Sequence, residues 1–473
     1  MSENYQLVIL GGGTGGYVAA IRAAQLGLKT AIVEHQALGG TCLHRGCIPS
    51  KALLRSAEVF ATTSHSEDYG VMTADVTLDY VKVHERKQKI IDQLHNGVKM
   101  LLKKGKIDIY DGFGRILGPS IFSPMPGAVS VEFPDGRENT ILIPESLIIA
   151  TGSKPRSLPG LEIDGEQILS SDEAVQLTTL PTSLLIVGGG VIGVEWASMF
   201  ADFGVKVTVL EYADRVVPTE DADVSKEMKR QLEKKGVQVV TGAKVLPETL
   251  DKENGVTISA ELGEKRQSYT AEKMLVSVGR SPNTEDIGLQ NTTIKTDRGY
   301  LLTNKNYQTE ESHIYAIGDV IGGLQLAHVA SHEGIKAVEH IARLKPEPLH
   351  ADQVARCIYT RPEAAAVGLT EQEAKDQGYQ VKVGKFSFNA IGKALVYGES
   401  DGFVKIISDE KTEDILGVHM IGPHVTDLIS EAALARVLDA TPFEIAETVH
   451  PHPTLSEIIG EAALAVEGKA IHS

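Results

Sequence analysis

The sequence predicts an α/β protein built from two dinucleotide-binding units and a smaller α+β domain at its C-terminal end. Three observations predict it. A short apolar run, a glycine cluster, a helical stretch, a second apolar run and an acid follow one another at the N-terminus. The same series recurs later in one register. The last third of the chain has strand and helix patterning and no such glycine cluster.

At 473 residues the chain is long enough for several domains with separate cores. Its 46 basic and 63 acidic residues leave a formal charge of −17. With no basic stripe to offset that sign, a nucleic-acid partner is not expected. No apolar run reaches the roughly 20 residues of a membrane span. The N-terminus runs straight into a strand without a basic leader or cleavage site, so a cytoplasmic protein is expected.

Tyr5–Leu10 reads as a buried parallel strand. Gly11-Gly-Gly-Thr-Gly-Gly16 follows, then helical spacing from Tyr17 to Gly27, a strand over Leu28–Val33, and Glu34. This is the Rossmann pattern. Gly11 makes the turn, Gly13 lets the backbone approach a pyrophosphate, and Gly16 lets helix and strand pack. The helix start faces the phosphates, and Glu34 can accept a ribose hydroxyl. The pattern alone does not choose between FAD and NAD.

The second copy opens at Ser183–Val187 and keeps the register of the first: Gly188 matches Gly11, Gly190 matches Gly13, Gly193 matches Gly16, and Glu211 matches Glu34. No arginine stands in the three positions after Glu211, which favours NAD over NADP, whose 2′-phosphate needs a cation. Between the copies, Leu78–Lys104 is helical in pattern, with short strands near Ile107–Phe113 and Val129–Phe133. Leu147–Ser153 and Met274–Asn283 read as strands ending in glycine turns. Ile314–Asp319 is strand-like and ends on an acid fit either for a cofactor sugar or for an ordinary turn, and a helix follows from about Ala327.

The stretch Gly39-Gly-Thr-Cys-Leu-His-Arg-Gly-Cys-Ile-Pro-Ser-Lys51 holds two of the chain's three cysteines. Pro49 and the apolar spacing after it predict a helix start, which puts Cys47 where unpaired N–H groups stabilise a thiolate. Gly46 lets Cys42 fold back onto it. A close pair with one activated thiol suits thiol–disulfide exchange. A zinc site would need about four ligands, and only Cys42, Cys47 and His44 are local, so no metal is expected. Two dinucleotide units around a redox pair suggest a relay from nicotinamide through flavin to disulfide. Cys357 reads as a buried apolar residue.

Lys345-Pro-Glu-Pro348 marks a boundary. Beyond it, strands near Phe403–Ser408 and Ile415–Ile421 and a helix near Val425–Leu438 predict the α+β domain. His450-Pro-His-Pro-Thr-Leu-Ser-Glu457 holds a histidine, His452, between two prolines. Thiol chemistry near neutral pH needs a base, and an acid five residues past His452 can orient its ring. Thr454 to Glu457 also fits a capping box with Thr454 as N-cap. His450 reads as a surface or packing residue.

Together these motifs resemble the disulfide-dependent flavoprotein reductases, the class I pyridine nucleotide-disulfide oxidoreductases, over essentially the whole chain. The matching residues are the two glycine units, the Gly39–Lys51 stretch, Ala150-Thr-Gly152, Val278-Gly-Arg280, Tyr315–Asp319, and His452-Pro-Thr with Glu457. The branch most similar oxidises protein-bound dihydrolipoyl groups. The resemblance implies FAD in the first unit, with Glu34, Lys51, Gly114 and Asp319 as contacts and Ala327 near the flavin ring. It implies NAD in the second, with Glu211, Val245 and Gly279, and adds Thr41, Thr151, Gly152 and Arg280 to the cofactor-binding residues. Lys51 would pair with Glu195 beside the flavin.

The implied domains are 1–147 for FAD, 148–273 for NAD, 274–345 returning to the FAD domain, and 346–473 for dimerisation. The implied partners are a second copy, whose cysteines would be served by His452 and Glu457 of the first, and the lipoylated acyltransferase of a 2-oxo acid dehydrogenase complex. One departure is visible: the usual Leu-Asn-Val-Gly between the cysteines is here Leu43-His-Arg-Gly46. Among rivals, a glutathione reductase would prefer NADP, and a mercuric reductase would carry a C-terminal cysteine pair. A soluble transhydrogenase would lack the full pair, and a mainly structural subunit of a large complex would turn over little dithiol.

Overall fold

In the computed structural model of the chain, which describes residues 2–120 and 125–472, the first apolar run is the central strand of a seven-stranded sheet. Ser2–Leu10 pairs in parallel with Thr30–Glu34 on one side and Thr140–Ile149 on the other. Leu7, Val8 and Ile9 are fully buried, as a parallel strand covered on both faces requires. Asp108–Asp111 extends one edge in parallel. On the other side Thr140–Ile149 takes Val129–Glu132 antiparallel along its first half and Ile314–Ala316 parallel along its second. One face is packed by the Thr14–Gln25 helix through Ala19, Ala20 and Ala23, and by the Ala327–Ile341 helix through Ala337 and Val338.

These elements belong to one compact unit made of Met1–Ala52, Lys82–Arg156 and Gly279–Leu349. Its first glycine turn leaves the sheet at the end of the central strand, between Thr30–Glu34 on one side and Thr140–Ile149 on the other. That is the crevice in which open α/β sheets take ligands.

The stretch before Cys42 is tied to that turn by backbone alone. The N–H of Gly39 donates to the carbonyl of Gly12 at 2.8 Å, and Gly13 and Gly39 form an isolated parallel bridge. A Cβ on Gly40 would stand 2.6 Å from the Cα of Gly13, and Gly40 has φ +60°. Two chain segments touch there with no room for a side chain. From this anchor the chain forms a short helix, Gly40–His44, and then the Cys47–Ser64 helix.

The second unit comprises Leu53–Val81, Ser157–Val278 and His350–Ser473. Its parallel sheet runs Gln238–Val240, Lys206–Leu210, Ser183–Val187, Lys273–Val276, Ile168–Leu169. A three-stranded antiparallel sheet, Lys244–Asp251, Val256–Leu262 and Lys265–Ala271, adjoins it. The C-terminal part is a five-stranded sheet with antiparallel pairing throughout, and Phe388, Val404, Val418, Ile429, Ile458 and Ile459 lie in its core. Among the described residues no helix is long and apolar enough to cross a membrane.

Inside this unit Lys405 is 3% exposed, with its Nζ 3.0 Å from Asp221, 3.1 Å from Asp223 and 2.7 Å from Glu371. His419 is its cross-strand partner and is fully buried, with Nε2 2.8 Å from the carbonyl of Leu369. Burial pushes the His419 imidazole below its usual range. Asp221 and Asp223 are held below the usual carboxylate range despite burial, Asp221 by its interaction with the neighbouring His419 and by the Lys405 hydrogen bond and charge, and Asp223 by Lys405 and Lys385.

Two predictions follow from this packing. The depressed carboxylates stabilise the fold while ionised, and His419 stabilises it while neutral. Both contributions shrink on acidification, His419's once pH drops below about 6.5, where the unfolded imidazole charges, and the carboxylates' lower still. The urea midpoint should therefore fall from pH 7.5 to pH 5. Lys405→Met should cost about 3–5 kcal/mol, because it strands the buried Asp221 carboxylate; an unchanged midpoint would contradict the cluster's role. The Gly40–Gly13 contact of the first unit gives a separate expectation: Gly40→Ala should lower the melting temperature more than Gly27→Ala. Both have positive φ, but a Cβ at Gly27 meets nothing within 4 Å. Equal losses would mean that strain, and not the contact with Gly13, sets the cost.

Candidate active site

The two glycine turns are built alike. Gly11 has φ +103° and Gly188 φ +108°, and a Cβ on either would lie 2.3 Å from the Ala150 carbonyl or 2.4 Å from that of Ser277. The acids act on the turns directly. Glu34, 9% exposed, accepts the N–H of Gly12 and of Gln36, each at 2.7 Å. Glu211, also 9% exposed, accepts the N–H of Gly189 at 2.5 Å and of Ala213 at 2.6 Å. Each carboxylate keeps lone pairs for a ribose hydroxyl. Gly16 and Gly193 are close-packing positions, where a Cβ would fall 1.9 Å from the carbonyl of Gly11 or Gly188.

The helices that follow begin at Gly13 and Gly190 with no side-chain cap. A Cβ at Gly190 would meet nothing within 4 Å, and at Gly13 only the Gly40 Cα at 3.9 Å. Open N–H groups above an empty glycine are a phosphate cradle, so both turns fit a dinucleotide. Arg215, the nearest cation after Glu211, donates to the carbonyls of Pro218 and Glu220.

The first unit gathers three separate motifs at one place. Thr151 donates through Oγ1 to the Asn283 carbonyl at 2.7 Å, and the Asn283 N–H reaches the Gly152 carbonyl at 2.9 Å. Ser153 Oγ donates to Asp319 at 2.5 Å. Arg280 donates to Ser153 Oγ at 2.6 Å and lies 3.7 Å from Asp319. Asp319 is thus a fixed acid in a short 3-10 turn, Gly318–Ile321. Ala327 heads a helix with no side-chain cap. Gly114 lies in Phe113–Ile116, where a Cβ would meet Leu10 at 2.6 Å. In the second unit Val245 lies half-buried in Lys244–Asp251. Gly279 belongs to the first unit, with φ +106°.

Sequence reasoning missed two residues here. Ser153 bridges Asp319 and Arg280; its only signal was its place after the Ala-Thr-Gly turn. Glu333, 7% exposed, accepts the Gly318 N–H at 2.6 Å. Burial pushes its carboxyl up to about 7, the Asp319 charge adding to the effect.

Cys47 opens the Cys47–Ser64 helix, as expected, and Cys42 lies inside the short Gly40–His44 helix. The two thiols are in hydrogen-bond contact. That contact raises the Cys42 thiol, as does burial, while the Cys47 N–H and the Lys51 charge pull the other way. Lys51 is one turn further along the Cys47 helix. Gly46 matters for space: a Cβ there would meet the Thr41 carbonyl at 3.1 Å. Thr41 accepts the Arg45 N–H at 2.8 Å, and Arg45 donates to Gln36.

At the C-terminal end, His452 Nδ1 lies 2.8 Å from Glu457 Oε1, and its ring is 77% exposed. Against the penalty of burial, the Thr454 N–H and His452 hold the Glu457 carboxyl below its usual range. Thr454 is not the helix N-cap. The helix starts at Glu457 after Ser456, and the Thr454 hydroxyl donates to the Pro451 carbonyl at 2.7 Å. Only the Glu457 half of the box forms, at 2.9 Å to the Thr454 N–H. His450 is a buried packing residue, 2.9 Å from Glu431. Glu461, one turn past Glu457, was missed; it holds His472 at 2.6 Å. Glu195, 7% exposed, accepts the Tyr359 N–H at 2.9 Å.

Residues 5–334 match the family model described as pyridine nucleotide-disulphide oxidoreductase, and residues 354–463 match that family's dimerisation domain. The chain is 67% identical over 473 residues to the dihydrolipoyl dehydrogenase of Bacillus subtilis (strain 168), covering 100% of both. It is 43% identical over 476 residues to that of Zymomonas mobilis subsp. mobilis, again covering 100% of both. The crystal structure of LpdA from Mycobacterium tuberculosis superposes with a TM-score of 0.89 at 28% identity, covering 97% of this chain and 98% of that one. The HOCl-induced flavoprotein disulfide reductase RclA from Escherichia coli gives 0.83 at 27%, covering 97% and 99%. Twin glycine turns, a cysteine pair against the first of them and a matching dimerisation domain have one explanation: the chain belongs to the pyridine nucleotide-disulphide oxidoreductase family.

Proposed function

We propose that this chain oxidises protein-bound dihydrolipoyl groups with NAD+ as acceptor, cycling Cys42 and Cys47 between disulfide and dithiol. The observation that carries the reading is the contact between these thiols at a helix start fastened to the first glycine turn. The whole-length identity to dihydrolipoyl dehydrogenases supports the substrate. We assign FAD to residues 1–147 and 274–345, NAD to 148–273, and dimerisation to 346–473.

A dihydrolipoyl thiolate attacks Cys42, breaks the Cys42–Cys47 bond and forms a mixed disulfide. The second dihydrolipoyl thiol then displaces Cys42 and leaves as oxidised lipoyl, so the substrate loses two electrons and the protein holds a dithiol. His452 of the second copy takes the substrate's proton. Glu457 holds its Nδ1 and offsets the charge that the ring gains. Lys51 favours the anionic form of the pair beside it, as its effect on Cys42 indicates. Glu34, Thr41, Gly114, Thr151, Gly152, Asp319 and the Ala327 turn hold FAD, with Arg280 backing Asp319, and Gly188, Gly190, Gly193, Glu211, Val245 and Gly279 serve the nicotinamide side. We also assign Glu195 a catalytic role, in keeping with the family resemblance. FAD, when bound, supplies a two-electron acceptor between dithiol and nicotinamide. Overall NAD+ gains a hydride equivalent and one proton is released. The Glu211 carboxylate would repel a 2′-phosphate, hence NAD and not NADP.

The homodimer is the working unit, and the lipoyl group arrives on the acyltransferase of a 2-oxo acid dehydrogenase complex in the cytoplasm. His452→Gln should slow the dithiol half-reaction on the order of a hundredfold or more, with flavin content unchanged. Glu457→Gln should slow it less, since the ring survives without its orienter. Rapid mixing with dihydrolipoamide measures both; a His452→Gln protein at full rate would remove the base assignment.

A further inference from the structure

The gap between the cysteines holds His44, half-buried at the end of the Gly40–His44 helix. Its Nε2 lies 2.9 Å from the carbonyl oxygen of Leu38. Nδ1 of His95, on the Tyr80–Lys104 helix, lies 2.9 Å from the same oxygen. The rings meet edge to face, with centroids 5.0 Å apart and planes at 74°. A carbonyl oxygen only accepts and has two lone pairs, so each imidazole donates to it. That fixes both neutral tautomers: His44 carries its proton on Nε2 and His95 on Nδ1.

The rings are close enough that a charge on His95 opposes a charge on His44. The groups facing His44 are His95, Arg45 and Glu34. Burial opposes its charge most, the Leu38 carbonyl favours it, and His95 and Arg45 oppose it against Glu34; the imidazole sits below its usual range. Leu38 is 5% exposed, and its side chain packs where a Cβ on Gly12 would come within 2.8 Å. The redox loop, the Tyr80–Lys104 helix and the first glycine turn therefore meet at one residue.

We propose that His44 is a positioning residue for the redox pair: bonded with His95 to the Leu38 carbonyl, it fixes the loop between the cysteines, and its protonation sets how readily the reduced pair gives up a proton. This rests on the redox reading of Cys42 and Cys47. An imidazolium two residues from Cys42 favours a thiolate, and a neutral ring does not. The usual asparagine at this position cannot switch charge.

The test is alkylation of the reduced holoenzyme by iodoacetamide between pH 4.5 and 9, in a His452→Gln background so that the base does not titrate. Thiols are first counted before and after reduction with dihydrolipoamide. If no thiols appear, the redox reading falls and the proposal with it. If they appear, the rate profile should show an inflection below about pH 6.5, the ordinary imidazole value. His44→Asn should abolish that inflection. His95→Gln should move it upward by about half a pH unit or more, since a neighbouring charge is removed. An inflection that His44→Asn leaves in place overturns the proposal alone. Should His44→Asn fail to fold, the His95→Gln profile decides: an upward move supports the proposal and an unmoved inflection overturns it.

Discussion

The contact between Gly39-Gly40 and Gly12-Gly13 is the constraint on which the site depends. Backbone lies on backbone, with one N–H bond at 2.8 Å and no space for a Cβ at Gly40. A side-chain contact can relax by changing rotamer; this one cannot. It fixes where the redox loop begins relative to the turn that receives the first dinucleotide. Cys42 and Cys47 follow within a few residues, so their position is inherited from the phosphate cradle. Electron transfer between thiols and a bound cofactor needs such fixed spacing, and here the start of the loop is set by backbone geometry and packing.

The acids of the two glycine units show how one residue serves fold and function together. Glu34 and Glu211 first satisfy N–H groups inside their own turns. Only their remaining lone pairs are left for a ribose. Changing either acid would therefore loosen the turn as well as the ligand contact. Asp319, the acid proposed for a cofactor sugar, is held in a related way, by Ser153 and Arg280, and its turn is held by Glu333. The polar groups of the first unit are pre-positioned by each other, so binding a cofactor orders little more chain.

Most of this was legible in the sequence because it rests on local rules. Strand, glycine turn, helix, strand and acid are each read within a few residues, and the register between the two copies excludes chance. Pro49 and the spacing after it gave the Cys47 helix. One failure is local and the others involve partners distant in sequence. Thr454 has the pattern of an N-cap, but its hydroxyl turns to Pro451, and the helix begins three residues later. Lys405 and His419 read as an ordinary strand pattern, yet tertiary pairing with Asp221, Asp223 and Glu371 buries a charge that alternation would place outside. His44 showed as a departure between the cysteines, but its meaning depends on His95, which no local signal ties to it. Ser153 and Glu333 were silent for the same reason.

The most direct test of the account is an anaerobic titration of the purified holoprotein with dihydrolipoamide, followed by absorption, and then addition of NAD+. The account predicts a long-wavelength thiolate–flavin band that grows with dithiol and collapses as NADH forms. A flavin spectrum that dihydrolipoamide leaves unchanged would contradict it.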